Sequence, residues 1–334
     1  MYTFIYRILI LLSFSVLPVE LKVLAGTKTL SELELSKIIS QQARLHKEAN
    51  RWSEAELTRQ AQEIINQYES YLVENPNDIN ALILFGKFLR KTNQREEAVR
   101  LFLKANEINP NIAVIKKELG NYLVENNQAI EAFPLFLMTT RLEPDEPFYH
   151  HNLGSFLFYF QEQLTILNEE KKVGLLMHES FKEAARLDPG NFDYQLRYAQ
   201  SFFDFNASDK NDALIAWEVL IKEFGKRSKL EMDYLKLGKA RVLIDLKRHE
   251  EAIPLLNTID STSVLNQKES LLKNATEKKI QPSIETETQS PDTKPEQYIP
   301  VLKSSYNKIV PSLSDPILKK NIADNKTTTK RQYG

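Results

Sequence analysis

The sequence contains no cysteine, and this absence excludes several kinds of chemistry. A chain without thiols has no disulfide, no thiolate nucleophile, no cysteine ligand for a metal and no cysteine for lipid attachment. The charges are also nearly balanced, because 44 Lys and Arg residues stand against 45 Asp and Glu residues and leave a formal net charge of -1. A balanced chain exerts no strong overall field on nucleic acids or anionic lipids. We therefore expect no nucleic-acid partner.

Histidine and glycine are scarce as well, with five and nine residues among 334. No two histidines have the spacing of a His-x-x-x-His or His-Glu-x-x-His metal site. The neighbours His150 and His151 point about 100° apart on a helix, which is unsuited to gripping one metal ion. The glycines form neither a phosphate-binding loop nor a Gly-x-Ser-x-Gly elbow. We predict no metal, no cofactor and no enzymatic activity.

The first 25 residues have the three parts of a secretory signal peptide. Arg7 gives a positive start, the apolar run ILILLSFSVL covers residues 8–17, and residues 23–25 precede Gly26 as a cleavage site. The apolar run is shorter than the ~20 residues that span a bilayer. We expect the segment 1–25 to be removed and the protein to be exported, either periplasmic or secreted. The alternative is an uncleaved segment that anchors the protein in the membrane.

Two further segments differ in composition from the middle of the chain. Residues 26–78 predict N-terminal helices, a cap or a degenerate repeat, with capping boxes at Ser31–Glu34 and Ser53–Glu56. Residues 261–334 are rich in Ser, Thr, Lys, Asn and Gln, and they contain six of the 14 prolines. Such a composition buries too little apolar surface to offset the entropy of ordering, so it predicts a disordered tail.

A repeat with a period of 34 residues runs through residues 79–260, between these segments. Its clearest mark is a glycine that is followed, twelve residues later in the first two copies, by an alanine. A polar turn separates the two small residues, and a proline closes each copy. Each unit is therefore predicted to be two short amphipathic helices joined by a turn. The marked positions are Gly86 and Ala98, Gly120 and Ala132, and Gly154 and Ala184.

The recurring glycine needs a compensating gain, because a glycine inside a helix costs about 1 kcal/mol relative to alanine. We expect Gly86 on the first helix of its unit to oppose Ala98 on the second helix. Two small residues let the backbones approach closely, and Leu89 and Phe102 then fill the space beside them. The glycine positions are thus predicted to be packing positions.

With these marks the chain resembles the tetratricopeptide repeat (TPR) family. Residues 79–112 also carry Leu82, Phe85, Leu89, Phe102, Ala105 and Pro110 in the matching places. The resemblance covers residues 79–260 as three clear units and two degenerate ones, with an insertion near 161–172. It implies an all-α fold, a right-handed α-solenoid of stacked antiparallel helix pairs.

The resemblance also implies that first-helix residues line a concave groove that binds a protein or a peptide. The candidates in the first two units give a basic end and those in the third unit an aromatic end, which would suit a peptide with an acidic and an apolar part. The other reading is a plain solvated face. The family's carboxylate-clamp pattern is absent, because Ile83 and Glu118 occupy two of its positions. The groove candidates are Ile83, Lys87, Arg90, Lys91, Lys117, Asn121, Val124, Phe148, His151, Phe158 and Tyr159.

The sequence thus favours an exported TPR scaffold without enzymatic activity, and two alternatives stay open. One is a membrane-tethered structural or assembly component of the cell envelope. The other is an enzyme that uses Glu162, Glu169 and Glu170 of the insertion. Within the tail, residues 299–320 carry apolar residues between prolines. This segment suits a short docking motif that binds a partner or folds back on the protein's own groove, unless it is a plain linker.

Overall fold

The computed structural model describes residues 29–165, 170–205 and 209–280. The predictions for residues 1–25 and for the tail beyond residue 280 lie outside these ranges. Within them every regular element is helical, and consecutive helices are joined by short turns. The described residues form two compact units, which part between Asn126 and Asn127. The predicted all-α architecture of antiparallel helix pairs is therefore confirmed.

The first unit contains α1 (Leu30–Glu48), α2 (Glu54–Glu74), α3 (Ile79–Lys91), α4 (Arg95–Ile108) and α5 (Ala113–Glu125). Helix α1 begins at Leu30, and its capping box is Thr29–Glu32 instead of the Ser31–Glu34 box that the sequence predicts. The Thr29 hydroxyl accepts from the Glu32 backbone N–H, and the Glu32 carboxylate accepts from the Thr29 N–H at 2.7 Å. At α2 the Ser53 side chain accepts from the Glu56 N–H, as expected for an N-cap.

Helices α2 and α3 share an aromatic core, which joins residues 26–78 to the first repeat. The rings of Tyr68 and Phe85 are stacked with their centroids 5.0 Å apart, and Tyr68 is fully buried. The Tyr71 hydroxyl donates to the Asp78 carboxylate at 2.7 Å, and the same carboxylate caps the N-terminus of α3. The N-terminal helices are therefore packed onto the repeat and are not a separate body.

An aromatic ring, not an alanine, closes on the glycine of each repeat for which the contact is described. A Cβ placed on Gly86 would lie 2.7 Å from Cε1 of Phe102, and one on Gly154 would lie 2.8 Å from the Phe181 ring. The expectation that Gly86 opposes Ala98 is wrong in this detail. Ala98, Ala132 and Ala184 are each buried completely, and Gly120 is buried in α5. Glycine is thus required because a neighbouring ring occupies the place that a Cβ would take.

The second unit contains α6 (Ala129–Leu142), α7 (Pro147–Tyr159), α8 (Gln161–Leu164), α9 (Glu170–Leu187), α10 (Phe192–Asp204), α11 (Lys210–Glu223), α12 (Lys229–Asp245), α13 (His249–Asn257) and α14 (Leu265–Ile280). Trp217 on α11 is the largest fully buried side chain, and it packs against Gly238 on α12. Ala199, Ala240 and Ala252, which mark the two degenerate repeats, are fully buried in this core.

The insertion near 161–172 is partly helical. Helix α8 occupies its start, and α9 begins at Glu170, before the insertion ends. Leu164, Val173 and Met177 are at most 4% exposed, so this part of the chain contributes to the core. Burial of these three apolar side chains explains why the extra residues lengthen a helix.

The sequence analysis places the start of the disordered tail at residue 261, and this is too early because residues 261–280 are ordered. A 3-10 turn (Thr262–Val264) leads into α14, which packs on α12 and α13 and buries Ala275 completely. The start of this segment is held by Asp233, whose carboxylate accepts from the Ser261 hydroxyl at 2.6 Å and from the Ser261 N–H at 3.1 Å. The polar composition of this segment therefore led to a wrong prediction of disorder, because composition does not show the packing of α14 or the hydrogen bonds from Ser261 to Asp233.

Candidate functional site

The groove candidates lie on the first helices of the repeats. They form one patch in each of the two compact units. In the first unit, α3 and α5 carry Lys87, Arg90, Lys91 and Lys117, which we call the basic patch. Lys91 is exposed and the other three are half-buried. The remaining candidates of this unit, Ile83, Asn121 and Val124, are also half-buried on the same two helices.

Part of the basic patch is neutralised by carboxylates. The Arg90 guanidinium pairs with Glu118 and, at 2.8 Å, with Glu125, while Nζ of Lys117 lies 2.9 Å from Glu118. The Glu118 side chain is only 5% exposed. Burial alone would raise the pKa of this carboxyl, but Lys117 and Arg90 outweigh burial and hold the pKa below its usual range. Arg90 therefore ties α3 to α5, whereas Lys117 pairs with its own neighbour on α5; the sequence analysis missed both roles.

Lys87 has no ion-pair partner among the described residues. Burial lowers the pKa of its ammonium group, and Lys117 and Lys91 lower it further, against the opposing effect of Glu118. A half-buried cation with neighbouring positive charges gains from an added anion, because the cost of desolvation is already present. Lys87 is thus the member of the basic patch that is electrostatically best prepared for a carboxylate.

In the second unit, α7 and α10 carry His151, Phe158, Tyr159, Tyr194 and Arg197, which we call the aromatic face. Phe158 is 39% exposed and Tyr159 is 77% exposed, a large exposure for aromatic side chains. The Arg197 guanidinium lies 4.3 Å from the ring centroid of Phe158. The Nη1 atom of Arg197 also donates to an oxygen of Asp204 at 2.8 Å, which neutralises its charge.

His151 forms part of the rigid floor of the aromatic face. Its ring centroid lies 5.0 Å from that of Tyr194 and 5.7 Å from that of the buried Phe181. Burial, and next Arg197, lower the pKa of the His151 imidazole, although Asp193 opposes them. The ring is therefore uncharged at neutral pH. Phe148, the remaining candidate, is half-buried and contacts the Tyr149 ring at 5.5 Å.

Three carboxylates lie near enough to Tyr194 to act on its hydroxyl. Burial raises the pKa of the Tyr194 hydroxyl, and the charges of Glu146, Asp188 and Asp193 raise it further. None of these three carboxylates forms an ion pair with another described residue. The aromatic face therefore combines exposed rings with unbalanced negative charge.

The sequence analysis missed Tyr194 and Arg197 because they belong to a degenerate repeat. Tyr198, Ala199 and Phe202 occupy repeat positions on α10 and mark it as the first helix of its repeat. The groove candidates lie six or three residues before the glycine position, or one, four or five residues after it. Tyr194 and Arg197 are five and two residues before Ala199, so the same spacing would not have found them. The Arg197–Asp204 pair and the Arg90–Glu118 pair have no sequence signal, since each depends on how neighbouring side chains turn.

The described ranges contain no cluster of three or more side chains suited to hold a metal ion. His178 is buried and its Nδ1 lies 2.9 Å from the Ser201 hydroxyl oxygen. Of the three carboxylates considered for an enzyme, Glu162 is exposed, and the side chains of Glu169 and Glu170 lie outside the described set. None of the helices in the described ranges combines the length and the apolarity that crossing a bilayer requires.

Comparison with known proteins points to one family. Residues 79–112 match the model of the tetratricopeptide repeat, as the sequence resemblance predicted. A TPR repeat-containing protein from Cytophaga hutchinsonii, solved as its C-terminal part, is similar in fold with a TM-score of 0.50 and 14% identity, over 71% of this chain and 98% of that one. At this identity the similarity concerns the fold.

Two further solved structures show weaker similarity. YrrB, described as a TPR protein with an unusual peptide-binding site, gives a TM-score of 0.46 and 16% identity over 64% of this chain and 97% of that one. PilW, described as a type IV pilus biogenesis factor, gives a TM-score of 0.45 and 12% identity over 74% of this chain and 100% of that one. No curated protein matches the chain.

Proposed function

Since residues 79–112 are a tetratricopeptide repeat within a TPR-type helical fold, we propose that this chain is a scaffold that binds a protein or an extended peptide on the first-helix surfaces of its repeats. It acts without a cofactor and without catalysing a reaction, and it works outside the cytoplasm. The binding surface of the first unit contains Lys87, and the binding surface of the second unit is the aromatic face.

The exposure of Phe158 and Tyr159 is the observation that carries this proposal. They are 39% and 77% exposed on α7, whereas the large core side chains Phe102 and Phe181 are buried. Aromatic residues with a rigid setting and an exposed surface are the usual anchors of protein interfaces. Arg197 holds the Phe158 ring from one side, so that little side-chain entropy is lost when a ligand covers it.

Lys87 supports an acidic part in the ligand. Its ammonium group is half-buried, and its pKa is lowered first by burial. A ligand carboxylate beside it would form a charge-assisted hydrogen bond at a site that is already partly dehydrated. The aromatic face, by contrast, offers apolar contact and negative charge, and so it suits an apolar or basic part.

The expectation of export depends on the N-terminal segment, which lies outside the described residues. We propose that residues 1–25 direct secretion and are then removed. Sequencing the N-terminus of the protein from its native cell tests this step: a start at Gly26 supports an exported, released protein. A start at Met1 would instead favour the membrane-tethered assembly component.

A comparison of variants tests the binding surface. The substitutions Lys87→Gln, Lys91→Gln and Phe158→Ala are combined in one protein, which is used to capture partners from cell-envelope extract beside the unchanged protein. The matched control combines Lys222→Gln, Lys226→Gln and Ile215→Ala, which remove the same charges and a similar apolar area at exposed positions on or beside α11. We expect the first variant to lose capture and the control to retain it. Equal capture by all three proteins would overturn the assignment.

A further inference from the structure

The aromatic face combines exposed rings with nearby negative charge. A segment of chain that carries both positive charge and apolar side chains would complement it. Its exposed rings, Phe158 and Tyr159, lie at the C-terminal end of α7. Its Tyr194 end is near Glu146, Asp188 and Asp193, which have no ion-pair partner among the described residues. We propose that residues 299–320 of the same chain dock on the aromatic face and thereby occupy the proposed binding site.

The chemistry of the segment complements this surface. Residues 299–320 contain four lysines and one aspartate, so their net charge is +3. The three carboxylates that act on Tyr194 have the opposite charge. Proline has a fixed φ, so Pro300, Pro311 and Pro316 reduce the conformational entropy that the segment can lose on docking. Extended proline-containing segments recognise surfaces lined by aromatic rings. Tyr306 and the aliphatic residues between the prolines supply apolar contact area.

The connecting chain is long enough. The described chain ends at Ile280 in α14, and α14 packs on α12. Helix α12 contacts α10 through Tyr234 and Gln200, and α10 contacts α7 through Arg197 and Phe158. Three interhelical steps of 8–10 Å amount to about 30 Å. The linker 281–298 reaches ~60 Å when extended and spans ~24 Å on average as a flexible coil, so docking needs no strain.

The consequence is regulation of the site by its own chain. This inference rests on the proposed function, because the docked segment covers the rings that are assigned to a partner. A partner has to displace residues 299–320, and it binds more tightly when Lys303 and Lys308 no longer hold the segment in place. Lys87, in the other unit, is not part of the docked surface.

The absence of cysteine allows a clean crosslinking test in the full chain. The paired substitutions Tyr159→Cys and Ser305→Cys place one thiol on the aromatic face and one in the segment. The control pair is Lys222→Cys and Ser305→Cys. Lys222 lies on α11, and its side chain is 83% exposed, which is close to the 77% of Tyr159. We expect intramolecular disulfide formation under mild oxidation to be about tenfold faster in the first pair, since docking raises the local concentration of the thiol. Adding Lys303→Glu and Lys308→Glu lowers the rate to that of the control.

Equal rates in the two pairs, or a rate that ignores Lys303→Glu and Lys308→Glu, would overturn the proposal. A disulfide-linked dimer in place of the intramolecular product would also overturn it and would assign the face to a second copy. Partner capture separates this inference from the proposed function. If capture depends on Phe158 but the two pairs crosslink at equal rates, the scaffold function is supported and the docked segment is not. If the first pair crosslinks faster but capture does not depend on Phe158, the docked segment is supported and the scaffold function is not.

Discussion

The Phe102 ring lies against the backbone of Gly86, so close that a Cβ on Gly86 would sit 2.7 Å from Cε1 of the ring. This contact explains why a helix former is missing from the middle of α3. The same relationship joins Phe181 to Gly154 and Trp217 to Gly238. In each case one helix can approach the next only because a methyl group is absent.

Replacing Gly86 by alanine tests this contact. Overpacking costs about 1–3 kcal/mol, and the better helix propensity of alanine returns up to about 1 kcal/mol. We expect Gly86→Ala to lower the free energy of unfolding by about 1–2 kcal/mol in urea denaturation. In a Phe102→Leu background the same change becomes neutral or stabilising, because the clash is gone and the propensity gain remains. Destabilisation that persists in that background would contradict the packing explanation.

Removing Arg90 leaves the buried Glu118 with one cation fewer. We expect Arg90→Met to lower the free energy of unfolding by about 2–3 kcal/mol, since breaking one side of a buried ion pair strands the other. Adding Glu118→Gln restores most of this loss. The matched control is Arg100→Met, because Arg100 and Glu97 are 40% and 47% exposed and their pair is worth little. A similar loss in both variants would show that the stem of the arginine matters and not its charge.

The turn residue Lys247 carries a left-handed backbone that suits asparagine better. Its φ is 60°, and Asn93 and Asn127, which follow first helices in the same way, have φ of 66° and 60°. We expect Lys247→Asn to raise the free energy of unfolding by about 0.5–1 kcal/mol, because asparagine adopts this region at lower cost. Asn93→Lys, the reverse change, is expected to lower it by a similar amount. Two changes of the same sign would refute the backbone argument.

His178 makes the stability of the second unit depend on pH. Its imidazole is 5% exposed, and the Ser201 hydroxyl donates to the Tyr198 carbonyl oxygen, so Nδ1–H of His178 donates to Ser201. Burial lowers the pKa of His178 from 6.5 to about 4. The unfolded chain therefore binds a proton that the folded chain does not between these two values, and stability falls as the pH drops from 6.5 to 4.

The variant His178→Gln isolates this effect, because glutamine keeps a donor for Ser201 and does not titrate. The loss assigned to His178 reaches about 3 kcal/mol at pH 4. Unfolding midpoints measured at several pH values are expected to converge for the two proteins as the pH falls. Midpoints that run parallel from pH 7 to pH 4 would show that His178 is not the titrating group.

The repeat at residues 79–112 could be predicted because its signals are local. A glycine, an alanine and a proline at fixed distances, together with apolar residues at helical spacing, identify two helices and the turn between them without any tertiary information. The partner of Gly86 was harder to predict. Ala98 and Phe102 lie one turn apart on the same face of α4, and only the rotation of that helix selects the ring.

Segments without a strong periodic signal were predicted less well. The composition of residues 261–280 suggests disorder, but α14 gains its stability from Ala275 packed on neighbouring helices and from the Asp233–Ser261 hydrogen bonds. Extra residues near 161–172 suggest a loop, but Leu164 and Met177 are buried and turn much of the segment into helix. Tertiary burial overrides composition at both places.

The sequence by itself determined the helical repeat, its period and the places where only glycine fits, because these follow from spacing along one helix or between two consecutive helices. Tertiary structure alone decided which charges remain available. Arg90 and Lys117 are matched by Glu118, whereas Lys87 on the same patch is not. The reason is physical: an ion pair depends on distances of a few ångströms between side chains of different helices, which periodicity does not specify.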